Sequence, residues 1–165
     1  MDVIKVKRDI TGGEKYLKNA LTYVHDKNGE IPLSLSGNGV NPASPQSMYE
    51  QMRDVKEYFG KTSGNQLVHM IVSYDKSVQD AETACRYTEE IAKYFANDFQ
   101  TVQCTHCENQ GNSLYHAHII ANSVSYTNGM MFNSSPQNML QFCDYVHSVT
   151  GNPTWLSFEA INKKM

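Results

Sequence analysis

His106-Cys107-Glu108 and, nine residues beyond His106, Tyr115-His116-Ala117-His118-Ile119-Ile120-Ala121-Asn122 decide how this chain is read. The second segment is rich in β-branched and apolar residues and long enough for a core strand. Side chains alternate along a strand, so His116, His118, Ile120 and Asn122 share one face, while Tyr115, Ala117, Ile119 and Ala121 share the other. The apolar face is fit to pack against helices. His106 ends a preceding strand, Thr101 to Cys107, and the eight residues from Glu108 to Tyr115 suffice to bring it beside the pair. Three neutral imidazoles on one sheet face would bind a divalent metal and leave positions open for water or a phosphate oxygen. Four of the six histidines fall between positions 69 and 118, which concentrates the chemistry here. A structural zinc through Cys104 and Cys107 with the His116/His118 pair is the rival. It requires side chains of odd spacing on one strand to reach the same face.

Working outward, Val3 to Arg8 alternates apolar and basic residues, as an edge strand does, and Thr11-Gly12-Gly13 reads as a turn. Leu17, Ala20, Leu21 and Val24 recur at helical spacing between Glu14 and His25. Residues 30–45 are rich in Gly, Pro, Ser and Asn and read as a mobile loop. Met48, Met52, Val55 and Phe59 mark a second helix, ending at Gly60. Gln66 to Tyr74 predicts a central strand. Val78 to Asn97 predicts a long amphipathic helix with Ser77 as its N-cap. Thr127-Asn128-Gly129-Met130 predicts a tight hairpin turn into Met131-Phe132. Ser135-Pro136 opens a last helix carrying Met139, Cys143 and Val146, with Gly151 just past its end. This order predicts an α+β fold: an antiparallel-rich sheet of about five strands, helices mainly on one face, and the other face free for a site.

Length and composition fit one domain spanning residues 1–165. No apolar stretch is long enough to span a membrane, and Met1-Asp2-Val3-Ile4-Lys5 lacks the apolar centre of an export signal, so a cytoplasmic setting is expected. There Cys85, Cys104, Cys107 and Cys143 are reduced thiols. The net charge of −3 gives no global attraction to nucleic acid, although Lys5, Lys7, Arg8, Lys15 and Lys18 gather near the N-terminus.

Together, His106-x9-His116-x-His118 with Ile119-Ile120-Ala121-Asn122-Ser123, the strand Leu67-Val68-His69-Met70-Ile71-Val72-Ser73, and Leu17-x-x-Ala20-Leu21-x-Tyr23-Val24 resemble, in order and spacing, the three motifs of conjugative relaxases. These are the mobilisation nucleases of the HUH endonuclease superfamily. The resemblance implies a relaxase palm that nicks one strand of DNA at an origin of transfer through a 5′-phosphotyrosyl intermediate. It implies His106, His116 and His118 as metal ligands, Tyr23 as nucleophile, and Ser73 as a contact to the DNA backbone. Mg²⁺ or Mn²⁺ is the expected ion, and Zn²⁺ or Ni²⁺ would suit the same donors. Single-stranded DNA, relaxosome accessory proteins and a type IV secretion coupling protein are the implied partners. Relaxases usually continue beyond such a core, so the chain is expected to be the N-terminal part of a longer protein.

Glu108, where relatives commonly carry aspartate, would orient a ligand imidazole or take the tyrosine proton. Asn122 shares the face of His116 and His118 and is a candidate either to support a ligand imidazole or to contact DNA. Tyr16, seven residues before Tyr23, is the competing nucleophile. His69 shares a strand face with Leu67, Ile71 and Ser73 and reads first as a packed, hydrogen-bonded strand histidine, with framing the site as the alternative. A rolling-circle initiator nuclease uses similar chemistry but places its tyrosine after the histidines. Tyr23 precedes them.

Overall fold

The structure, a computed structural model, describes residues 1–8, 13–110 and 113–160. Thr11-Gly12 and the C-terminal residues 161–165 lie outside that range. Among the described residues the elements run β1 (Asp2–Arg8), α1 (Glu14–His25), β2 (Ser34–Asn38), α2 (Pro45–Tyr58), β3 (Leu67–Ser73), α3 (Ala81–Ala92), β4 (Thr101–Gln110), β5 (Ser113–Asn122), α4 (Pro136–Thr150) and β6 (Thr154–Ala160). They form an α+β fold around a six-stranded sheet of order β2-β4-β5-β3-β1-β6. Its pairs are antiparallel except β1·β6, which is parallel.

Alternation along each strand builds two cores. Ile4 and Val6 of β1, Val68, Met70 and Val72 of β3, and Ala117, Ile119 and Ala121 of β5 meet α3 and α4 through Ile91, Phe142 and Val146. On the opposite face Val102 and Cys104 of β4, with Ile120 of β5, meet α1 and α2 through Leu17, Leu21, Met48 and Met52. Each fully buried side chain of this kind contributes about 1.5–3 kcal/mol. The helices therefore occupy both faces rather than mainly one, because α1 and α2 carry an apolar stripe that also needs cover. They cover β4, β5 and the Leu67 end of β3, and leave β1 and the Ser73 end of β3 facing a groove.

Helix ends follow local chemistry. Ser44 and Ser135 accept hydrogen bonds from Ser47 N (3.1 Å) and Asn138 N (3.3 Å), each just before a first-turn proline. The third helix starts later than its periodicity suggests. Its cap is Asp80, which accepts from Thr83 N at 2.8 Å, whereas Ser77 lies in the preceding turn and donates its N–H to Asp75. Beyond Ala92 the chain continues as tighter turns, with Tyr94, Phe95 and Ala96 N–H groups bonding three residues back. Gly151 ends α4 in the left-handed region, at φ 76°.

Two strands depart from the sequence expectation. β2 lies inside the segment read as a loop and pairs with the outer edge of β4. Gly37 is required there, since a Cβ would stand 2.2 Å from the Val40 carbonyl oxygen. β6 closes the far edge beside β1. The Asn128-Gly129 turn is present, but the strand expected after it reduces to an isolated Val124–Met131 bridge.

Candidate active site

Strand register brings the histidines together. His106 on β4 is directly opposite His116 on β5, and Cys104 is opposite His118. On the other side of β5, Ser73 of β3 faces His116 and Ile71 faces His118. All three histidines are buried, at 5–6% exposure, on the face that α1 covers.

Above them, α1 seats Leu17, Ala20, Leu21 and Val24 in the core. That seating fixes the rotation of the helix and points Tyr16 and Tyr23, seven residues apart, at the imidazoles. Tyr23 stands edge-on to both His106 and His118, with ring centroids 5.5 and 5.1 Å away. Tyr16 Oη instead shares a 3.0 Å hydrogen bond with His69 Nδ1. His69 Nε2 in turn shares one of 3.1 Å with His118 Nδ1. Tyr16 is thus tied into a chain that fixes the His118 ring, while Tyr23 lies over the histidine pair.

Burial dominates the electrostatics of the cluster. It holds His69 down to about 3 and His118 well below the ordinary imidazole range, with neighbouring imidazoles adding to the second effect. His106 and His116 are lowered by burial and then by the Lys27 ammonium. Neutral imidazoles result, the protonation state a metal ligand needs. His106 Nδ1 and His116 Nδ1 are buried with no hydrogen-bond partner among the described residues. An orphaned buried nitrogen is costly to keep without a ligand. Among the described residues no three His, Cys, Asp or Glu side chains have donors already converged for a metal. The donor chemistry fits a divalent cation, with the rings of His106 and His118 5.1 Å apart.

Glu108, two residues past His106, forms an ion pair with Lys27 at the end of α1. The same ammonium lies 5.3 Å from the centre of the Tyr23 ring. Sequence offered no signal for Lys27 beyond its place just after the helix.

A groove of about 830 Å³ opens in front of the cluster, between α1 and the open part of the sheet. Its lining includes Ser73, His116, Tyr23, Lys5, Lys7 and Lys76. Among the described residues Lys7 and Lys76 have no ion-pair partner, whereas Lys5 meets Glu159 at 3.4 Å. The N-terminal basic cluster is therefore divided. Lys5 and Lys7 face the groove, Arg8 donates to the Ser134 carbonyl at 2.6 Å, and Lys18 lies over Tyr49.

Two candidates of the sequence reading are removed. Asn122 is fully buried. Its side chain accepts from Lys56 Nζ at 2.5 Å and donates to the Met52 carbonyl and to Gln100 Oε1. It ties β5 to α2 and cannot reach DNA. The Cys104/Cys107 zinc also fails, since Cys104 is buried under α1 while Cys107 is exposed.

The described residues include no helix long and apolar enough to cross a membrane. Comparison with curated proteins finds no match. Among solved structures, one concerned with the molecular basis of vancomycin resistance transfer in Staphylococcus aureus is similar in fold. Its TM-score is 0.60 at 12% sequence identity, over 98% of each chain. Residues 16–150 match the family described as relaxase, MobA/VirD2-like, nuclease domain. That span takes in Tyr16, Tyr23, Ser73 and the three histidines, and on it the chain belongs to the MobA/VirD2-like relaxases, of which it carries the nuclease domain.

Proposed function

We propose that the chain is a metal-dependent, strand-specific single-stranded DNA nuclease and transesterase that nicks an origin of transfer, with Tyr23 as nucleophile. The observation that carries this reading is the Tyr23 ring set edge-on to both His106 and His118, where Tyr23 and His118 line a groove that also contains lysines. Lys7, Lys76 and Ser73 hold the DNA backbone along the groove. Tyr23 Oη attacks phosphorus, a Tyr–O–P bond forms, and the P–O3′ bond breaks. The protein keeps the 5′-phosphate, and the leaving oxygen takes a proton to become a free 3′-OH. Glu108, held by Lys27 beside Tyr23, receives the phenol proton. Because one phosphodiester is exchanged for another, the reverse attack can rejoin the strand.

His106, His116 and His118 would hold a divalent ion, Mg²⁺ or Mn²⁺, which when bound supplies polarisation of the scissile phosphate and offsets its developing charge. His69, hydrogen-bonded to His118 Nδ1, fixes that ring and leaves its Nε2 for the ion. Relaxosome accessory proteins and a type IV coupling protein are the partners this reading implies. The rolling-circle alternative is disfavoured by the chain order, with Tyr23 before the histidines.

The test mixes the protein with labelled single-stranded DNA from the origin region of its own element and Mn²⁺, then looks for a denaturant-stable protein–DNA band. Such a band is expected with the unsubstituted chain and with Tyr16→Phe. It should require metal and fall by on the order of 10⁴-fold or more in Tyr23→Phe. A band that survives Tyr23→Phe and vanishes in Tyr16→Phe would reassign the nucleophile.

A further inference from the structure

One row of side chains crosses the groove face on five strands. His106 is opposite His116, His116 opposite Ser73, Ser73 opposite Val3, and Val3 opposite Trp155 of β6. β6 is the sheet's outer strand. Alternation sends Leu156 and Phe158 to the opposite face, where Leu156 packs against the core and Arg8 covers the Phe158 ring at 4.1 Å. Trp155 is treated differently. It is the only tryptophan in the chain and is 60% exposed. Among the described residues no ring or guanidinium stacks on it. Strand spacing puts it roughly 14 Å from His116, three strands away. Val3, its neighbour in the row, lines the groove, and so do Lys5 and Lys7 further along β1.

We propose that Trp155 is a base-stacking platform for the single-stranded DNA that runs along this groove, with Lys7 holding an adjoining phosphate. The inference rests on the reading of the groove as a DNA-cleaving site. An indole on an edge strand, in register with the candidate catalytic histidines and beside a groove that Lys7 lines, matches what unpaired DNA offers. Bases present sequence-tolerant π-faces, and the backbone presents charge. A folded protein ligand would find no comparable apolar area around one ring, whereas a single base needs no more.

Because Trp155 is the only tryptophan, its emission reports on this position alone. The purified chain, in chelator so that no cleavage intervenes, is titrated with end-labelled oligothymidylate and with an abasic deoxyribose-phosphate oligomer of equal length. Label anisotropy measures binding, and Trp155 emission measures stacking. Oligothymidylate should bind and quench, while the abasic oligomer should bind more weakly without quenching. Trp155→Ala should weaken oligothymidylate binding about 5- to 150-fold, and Trp155→Phe should restore most of it. Binding without any change in Trp155 emission would overturn the platform and leave the groove's function standing. If neither oligomer binds, the platform and the DNA reading fall together. The emission result uses the unsubstituted chain, so it does not depend on how a variant folds.

Discussion

The two faces of β5 were built for different ends. On the α3/α4 side, Ala117, Ile119 and Ala121 are completely buried against Phe142 and Val146. On the α1 side, His116 and His118 are almost as buried, yet His116 Nδ1 has no partner among the described residues. One face converts burial into stability. The other removes water from polar groups and leaves His116 Nδ1 unsatisfied among the described residues. Substitutions on the first face should therefore damage the fold, and those on the second the chemistry.

The largest effect expected on stability is on the closed face. Phe142→Ala should lower unfolding free energy by about 3–5 kcal/mol, measured by denaturant titration. His116→Ala, on the other face of the sheet and almost as enclosed, should change it by only about 1 kcal/mol, since removing an unsatisfied nitrogen relieves part of the loss. It should still eliminate metal-dependent adduct formation. Equal destabilisation by both variants would break the distinction between the faces.

A smaller effect follows from pH. Burial holds His69 near 3 in the folded chain against about 6.5 when unfolded. Between those values the unfolded state binds more protons, so stability should fall as pH drops through that window. His69 alone should account for about 2 kcal/mol of the loss by pH 5 in the metal-free chain, and His118 adds in the same direction. Thermal melts of the chain and of His69→Gln across this range would sharpen the comparison. The variant's profile should be flatter, and an unchanged slope would count against the buried neutral imidazole as its source.

The smallest effect belongs to the rim. Lys7→Ala should leave folding unchanged within about 0.5 kcal/mol. It should reduce the salt dependence of single-stranded DNA binding by about 0.7 in slope, one phosphate contact. No change in slope would remove Lys7 from the DNA path.

Much of the architecture was legible because each principal element has a strong period. Glu14–His25 and the β3 and β5 strands carry unbroken apolar patterns, and their positions follow. β2 was hidden because Ser34-Leu35-Ser36-Gly37-Asn38 has one apolar residue and the composition of a loop. It becomes a strand only because β4 offers an open edge. β6 did carry a usable signal, since Leu156 and Phe158 alternate with Trp155 and Ser157. Asn122 shows the limit of face arguments. It lies on the histidine face as alternation requires, but α2 covers that end of the strand and the side chain is consumed by Lys56, Met52 and Gln100.

By itself the sequence determined that two histidines share a strand face, that a third could join them, and that an amphipathic helix carried Tyr16 and Tyr23 seven residues apart. Those are consequences of the strand and helix periods, which are local. Which tyrosine met which histidine depended on the rotation of α1, set when its apolar stripe docked on Val102, Cys104 and Ile120. Only that packing sent Tyr23 to His106 and His118 and gave Tyr16 to His69. Likewise, only strand order placed Trp155 in the row of His116 and Ser73, because pairings between distant segments are fixed by the whole sheet and by no local period.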